Sequence, residues 1–121
     1  MYQGTTPAVI FEIKGYDLTS ATVYVSFKRG DDLLTKSGDD VQASYDSVEG
    51  ISTVVCSLTQ EETLAMKKGT AIVQVRFIYE NGQAYATEKG SVTVNDVIYP
   101  VVIEYQGGGE PDEPASGGTG E

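Results

Sequence analysis

The chain has 121 residues, with 18 acidic against 8 basic side chains and a net charge of −10; it has no histidine, no tryptophan and one cysteine. The length suits one ordinary domain, and 40% hydrophobic with 21% charged residues is a globular composition. Missing histidine removes the commonest general base and metal ligand, and lone Cys56 excludes an internal disulfide.

Four acids (Glu110, Asp112, Glu113, Glu121) fall in the last fifteen residues, leaving a body near −6. No run of Lys or Arg interleaves with aromatics, so a phosphate backbone is repelled and nucleic acid is not an expected partner. No apolar run is long enough to span a bilayer, and no basic stretch leads into an apolar signal core. Neither membrane insertion nor a cleaved export signal is expected.

After an N-terminal arm over 1–7, Val9, Phe11 and Ile13 alternate with Ile10, Glu12 and Lys14, which predicts a strand starting past Pro7. Gly15, Asp17 and Ser20 mark a connection. "TVYVSFKR" (22–29) alternates cleanly and predicts a half-buried antiparallel strand. "GDD" occurs twice, at 30–32 and 38–40, and each copy predicts a tight turn into a weaker strand, "LLTKS" and then "VQASY". In "ISTVVCSL" (51–58), Val54, Cys56 and Leu58 share one face, which makes Cys56 a small core residue.

"LTQEETLAMKKG" (58–69) is the one helical stretch. Thr59 precedes Glu62 by three residues, the spacing of a capping box, and acids at the start with lysines at the end match the helix dipole. Gly69 is the expected stop. A helix of about two turns is unstable alone, so Leu64 and Met66 are expected to be buried. The helix, about 60–68, then acts as a crossover between sheets.

"TAIVQVRFIYE" (70–80) predicts the longest and most central strand. "NG" (81–82) predicts a type I′ hairpin turn into "QAYATEKGSVTV", with a bulge at Gly90. "NDVIYPVVIEY" (95–105) either extends that strand or leaves the domain, and Pro100 argues against a central strand there. From Gln106 the chain is Gly, Pro, Ser and acid, a flexible solvated tail over 106–121. The expected fold is all-β: an immunoglobulin-like antiparallel β-sandwich of 7–8 strands over 8–105 with one short crossover helix. A small barrel is the alternative.

Few features invite chemistry. Asp31, Asp32, Asp39 and Asp40 sit in neighbouring turns and suggest calcium, yet match no EF-hand spacing, and Asp is the ordinary turn residue. "RGD" (29–31) is explained by turn chemistry and chance. Glu61 and Glu62 are adjacent on a helix, so they diverge. Without histidine no ordinary nucleophile–base pair can be drawn. No catalytic residue, metal or cofactor is assigned, and an enzyme is not expected. Eight tyrosines against three phenylalanines suit half-exposed sheet faces and protein contact equally. Tyr24 and Tyr85 are candidate partner-binding residues. Thr5 and Thr6, beside Pro7, are candidates for anchoring by strand addition.

"YQGTTP" (2–7), "LTQEETL" (58–64), Gly69, "IVQVRF" (72–77) and "NG" (81–82) in this order resemble small proteins of the tail and structural-gene regions of phages and prophages of Firmicutes. The chain is also similar to the N-terminal domain of the baseplate upper protein family. The resemblance covers roughly 2–98 and is most specific over 58–82. It implies a non-enzymatic virion module, a tail or baseplate adaptor or attachment domain, made in the bacterial cytoplasm and carried in the virion. Its partners would be other phage structural proteins, with a homo-oligomer in the particle as one arrangement. The chain departs from the family after the domain, where the acidic tail stands in place of a helical segment and receptor-binding platform. Capsid decoration and a carbohydrate-binding module for host glycans are the alternative functions.

Overall fold

The computed structural model describes residues 1–106; the tail read over 106–121 lies outside the described residues apart from Gln106. Among the described residues, eight strands form two antiparallel sheets. β1 (Ala8–Lys14), β4 (Val41–Asp46) and β5 (Ile51–Ser57) make the first, in the order β1-β5-β4. The second holds β2 (Thr22–Arg29), β3 (Asp32–Lys36), β6 (Gly69–Ile78), β7 (Ala84–Ala86) and β8 (Gly90–Val94). Its order is β3-β2-β6-β7, with β8 also paired to β6. This is an all-β sandwich, as the alternation predicts.

The inner faces are those with apolar residues at every second position. Val23, Val25 and Phe27 of β2 register against Phe77, Val75 and Val73 of β6, and all six are buried. Val54 and Cys56 of β5 face them with no exposed surface. Each such side chain contributes about 1.5–3 kcal/mol by leaving water. Ser52 shares this core face. Its hydroxyl is satisfied there, donating to the Tyr16 carbonyl at 2.6 Å and accepting from the Leu18 N–H at 2.9 Å.

α1 (Gln60–Ala65) carries the chain from β5 in one sheet to β6 in the other, which makes it the expected crossover. The capping box is formed: Thr59 Oγ1 accepts from the Glu62 N–H at 3.1 Å, and Glu62 Oε1 accepts from the Thr59 N–H at 2.8 Å. Two details differ from expectation. Thr63 is the helix residue wholly buried, while Leu64 is half-buried and packs near Gly4. Gly69 is not the stop. The helix ends where Met66 turns extended and enters the core, its carbonyl accepting from Gln3 Nε2 at 2.6 Å. Gly69 instead opens β6 at φ +122°, where a Cβ would lie 2.6 Å from Arg29 Nη2. Arg29 crosses that gap to donate to the Lys68 carbonyl at 3.0 and 3.2 Å.

The β6–β7 hairpin is also corrected. Its loop is Glu80, Asn81 and Gly82, closed by Gly82 N–H to Tyr79 O and Tyr79 N–H to Gln83 O, both 2.9 Å. Only one positive φ is needed in such a three-residue loop, and Gly82 supplies it at +88°. The Asn81 side chain is then free to accept from the Gln83 N–H. Further along, Gln74 and Val75 of β6 face Thr87, Glu88 and Lys89, a bulge just before Gly90. Thr87 fills the broken ladder: its hydroxyl accepts from the Val75 N–H, and its carbonyl accepts from Gln74 Nε2.

Both ends of the described chain depart from their expected limits. Residues 1–7, the expected N-terminal arm, lie against the sandwich. Met1, Tyr2 and Gln3 run parallel beside the end of β8, with Asn95 N–H to Met1 O at 2.7 Å and Gln3 N–H to Asn95 O at 2.8 Å. Conversely, the sandwich ends near Asn95, and 97–105 leave it without joining a strand.

Candidate docking surfaces

The four residues singled out from sequence do not converge. Thr5 is bound to its own domain: its N–H donates to Thr63 Oγ1 at 3.1 Å, and the same hydroxyl donates to the Thr5 carbonyl at 2.9 Å. A threonine side chain thus stands in for a neighbouring strand, and the main chain a strand-adding anchor would use is occupied. Thr6 is exposed beside it. Tyr24 lies on the outer face of the second sheet, 40% exposed, opposite Arg76. Tyr85 lies on the inward side, opposite Phe77, and stacks on that ring with centroids 5.4 Å apart.

Tyr85 belongs to an aromatic cluster at one end of the sandwich. Tyr16 sits 4.9 Å from Tyr85 and 5.2 Å from Phe77, and Tyr79 packs edge-on to both Phe77 and Tyr85. Tyr79 donates its hydroxyl proton to the Asp17 carbonyl at 3.0 Å. Burial first, and then the Asp17 charge and the neighbouring phenols, hold the Tyr79 hydroxyl above its ordinary pKa. Tyr16 and Tyr85 each keep more than a third of their surface in solvent, so the cluster presents a partly open aromatic edge.

The outer face of the second sheet is a second surface. Tyr24, Ile72, Ile78 and Leu33 are all exposed there, with Leu33 on the edge strand at 68%. Ser26 and Thr35 share a hydrogen bond of 2.9 Å across β2 and β3, which leaves this face mixed rather than wholly apolar.

The third surface is the one sequence reasoning misplaced. Residues 97–105 are assigned from sequence to the sandwich, yet Ile98, Tyr99, Val101, Val102, Ile103 and Tyr105 are exposed, Ile98 fully. One clasp holds this segment to the domain. Gln60 Oε1 accepts from the Ile103 N–H at 2.8 Å, and Gln60 Nε2 donates to the Ile103 carbonyl at 2.9 Å. Pro100 was the available signal, since it argues against a central strand.

Near the helix, Lys36 is buried to 6% exposure on β3 and bonded to both oxygens of Glu62 at 2.7 Å and to Asp40 at 3.0 Å. Burial alone would lower the Lys36 pKa, but the Glu62 and Asp40 bonds outweigh it and hold the ammonium above its ordinary value. Likewise burial would raise Glu62, yet the Lys36 bond and the Thr59 N–H keep its carboxyl below the usual range. Asp40 of the second "GDD" therefore serves this bridge, and Asp32 of the first lies 3.7 Å from Lys67. Among the described residues no group of three or more His, Cys, Asp or Glu is arranged to hold a metal. Among them too, no helix is long and apolar enough to cross a membrane.

The chain matches no protein-family model and no curated protein.

Proposed function

We propose that this chain is a non-enzymatic structural module of a phage particle, a tail or baseplate adaptor or attachment domain that works by docking on other structural proteins. The observation that carries the docking part is the exposed apolar segment 98–105, which a domain on its own gains nothing by displaying. The phage setting comes from the resemblance over 2–98 to the baseplate upper protein N-terminal domain. The strand order supports an immunoglobulin-like reading: β1-β5-β4 and β3-β2-β6-β7 correspond to a B-E-D sheet and a C′-C-F-G sheet. The parallel bridge of Tyr2 to Asn95 corresponds to the short first strand that follows the last one in such domains.

Immunogold labelling of intact particles from a lysate expressing the protein tests this reading. Gold at the tail tip is expected. Gold on heads would replace it with capsid decoration, and unlabelled particles with working access controls would overturn the virion setting.

One observation favours a glycan-binding reading, the half-open tyrosine edge of Tyr16 and Tyr85, since aromatic faces stack on sugar rings. Titration calorimetry against host cell-wall polysaccharide separates the two. A structural plug gives no heat, and a saturable heat abolished by Tyr85→Ala would favour the glycan.

A further inference from the structure

The sandwich has an open edge at β1. β5 pairs with one side of β1, and among the described residues no strand pairs with the other. Next to that free edge a cleft of about 400 Å3 separates β1 from the bulged β7–β8 side, lined by Val9, Phe11, Ile13, Val75, Thr87 and Val92. In the strand order given above, this is where a further strand would stand. Unpaired main-chain groups beside half-buried apolar side chains are a template for strand addition.

The same chain carries a segment that fits the template. Ile98–Glu104 equals β1 in length, and a parallel register sets Ile98 beside Ala8 and Glu104 beside Lys14. That register turns Tyr99, Val101 and Ile103 inward with Val9, Phe11 and Ile13, the three β1 residues that face the core. It brings opposite charges together at Glu104 and Lys14. The missing N–H of Pro100 falls on the solvent side, where a strand with one neighbour needs no donor.

The segment does not reach its own edge. Asn95 is pinned on both sides by Met1 and Gln3, so the three steps to Ile98 would have to be fully extended, about 10–11 Å, to cross a sheet separation of about 10 Å. The N-terminal segment takes Gly4–Pro7 to make that crossing. In the single folded chain the edge therefore stays open and the segment rests on Gln60.

We propose that residues 98–104 of one copy add as a parallel strand to the outer edge of β1 of a second copy. The Gln60 clasp holds Ile103 until main-chain bonds to the second copy replace it. Reciprocal exchange closes a dimer, and one-way exchange propagates a row of copies. This deepens the docking reading by naming the first partner as the chain itself; it does not depend on the phage setting, because purified protein tests it.

Two full-length variants, Lys14→Cys and Glu104→Cys, are purified separately, mixed and oxidised; native Cys56 is fully buried and does not compete. A mixed disulfide many-fold above the homodimers of either variant alone is expected. Light scattering should show full-length protein exceeding monomer mass as concentration rises, and Val101→Lys, at an exposed position, should return it to monomer with an unchanged circular dichroism spectrum. Monomer at every concentration with no mixed disulfide would overturn the proposal. So would a disulfide that forms only within one chain of the double variant. Crosslinking of Lys14→Cys to Ile98→Cys in preference to Glu104→Cys would overturn the parallel register.

Discussion

Lys36 and Glu62 meet at 2.7 Å, joining the edge strand β3 to the capping box of α1. One carboxylate therefore closes the helix start and neutralises a buried ammonium. Glu62→Gln leaves Lys36 with Asp40 alone, at a cost of roughly 1–3 kcal/mol at neutral pH. The pH dependence has a definite sign. Glu62 titrates below its ordinary 4.5 in the folded state, so its contribution is complete above pH 4.5 and fades as pH falls through the lower folded value. Lys36 titrates above its ordinary 10.5, so its contribution is complete below pH 10.5 and fades as pH rises past the folded value. Urea melts of the wild type and Glu62→Gln should differ most between these limits and converge in acid.

Thr63→Val keeps the shape of a buried side chain and removes the hydroxyl that takes and returns a hydrogen bond with Thr5. The expected loss is about 1–3 kcal/mol, because the Thr5 N–H and C=O lose their partner. Hydrogen exchange should rise across 1–7 more than in β2 or β6. Uniform exchange increases would contradict a local tie.

Cys56 has no exposed surface, and burial first of all pushes its thiol up to about 11. Thiolate-directed reagents should leave the native protein unlabelled at pH 8 and react stoichiometrically once it is unfolded. Labelling as fast as a free thiol would contradict the packing of β5.

Gly69→Ala introduces a Cβ at φ +122° and against the Arg29 guanidinium. Arg29 can swing away, but the backbone cannot relax, so destabilisation of roughly 1–3 kcal/mol is expected. A thermal melt of the variant checks this; an unchanged Tm would mean that the start of β6 is not held as described.

Much of the fold is legible because period-2 alternation reports burial on one face. β2 is read to its residue limits, and the Thr59–Glu62 spacing marks the true helix start. What is missed depends on distant partners. Lys36 carries no local signal of burial, since nothing nearby shows that Glu62 and Asp40 will converge on it. Thr63 carries no signal of its own, because its role needs Thr5, fifty-eight positions away. Gly69 is taken for a helix stop because a positive φ serves a strand entry as readily as a helix end. The segment 97–105 falls within the expected domain limits because Pro100 argues only against a central strand, and nothing local tells an extended last strand from a chain leaving the domain.

The proposed docking element is that segment. Particles grown in hosts expressing either the full chain or residues 1–96 test it directly, with incorporation quantified by immunoblot of purified virions. The shortened chain, folded by circular dichroism and thermal melt, is predicted to be absent from particles that carry the full-length protein. Equal occupancy by the two would contradict the account.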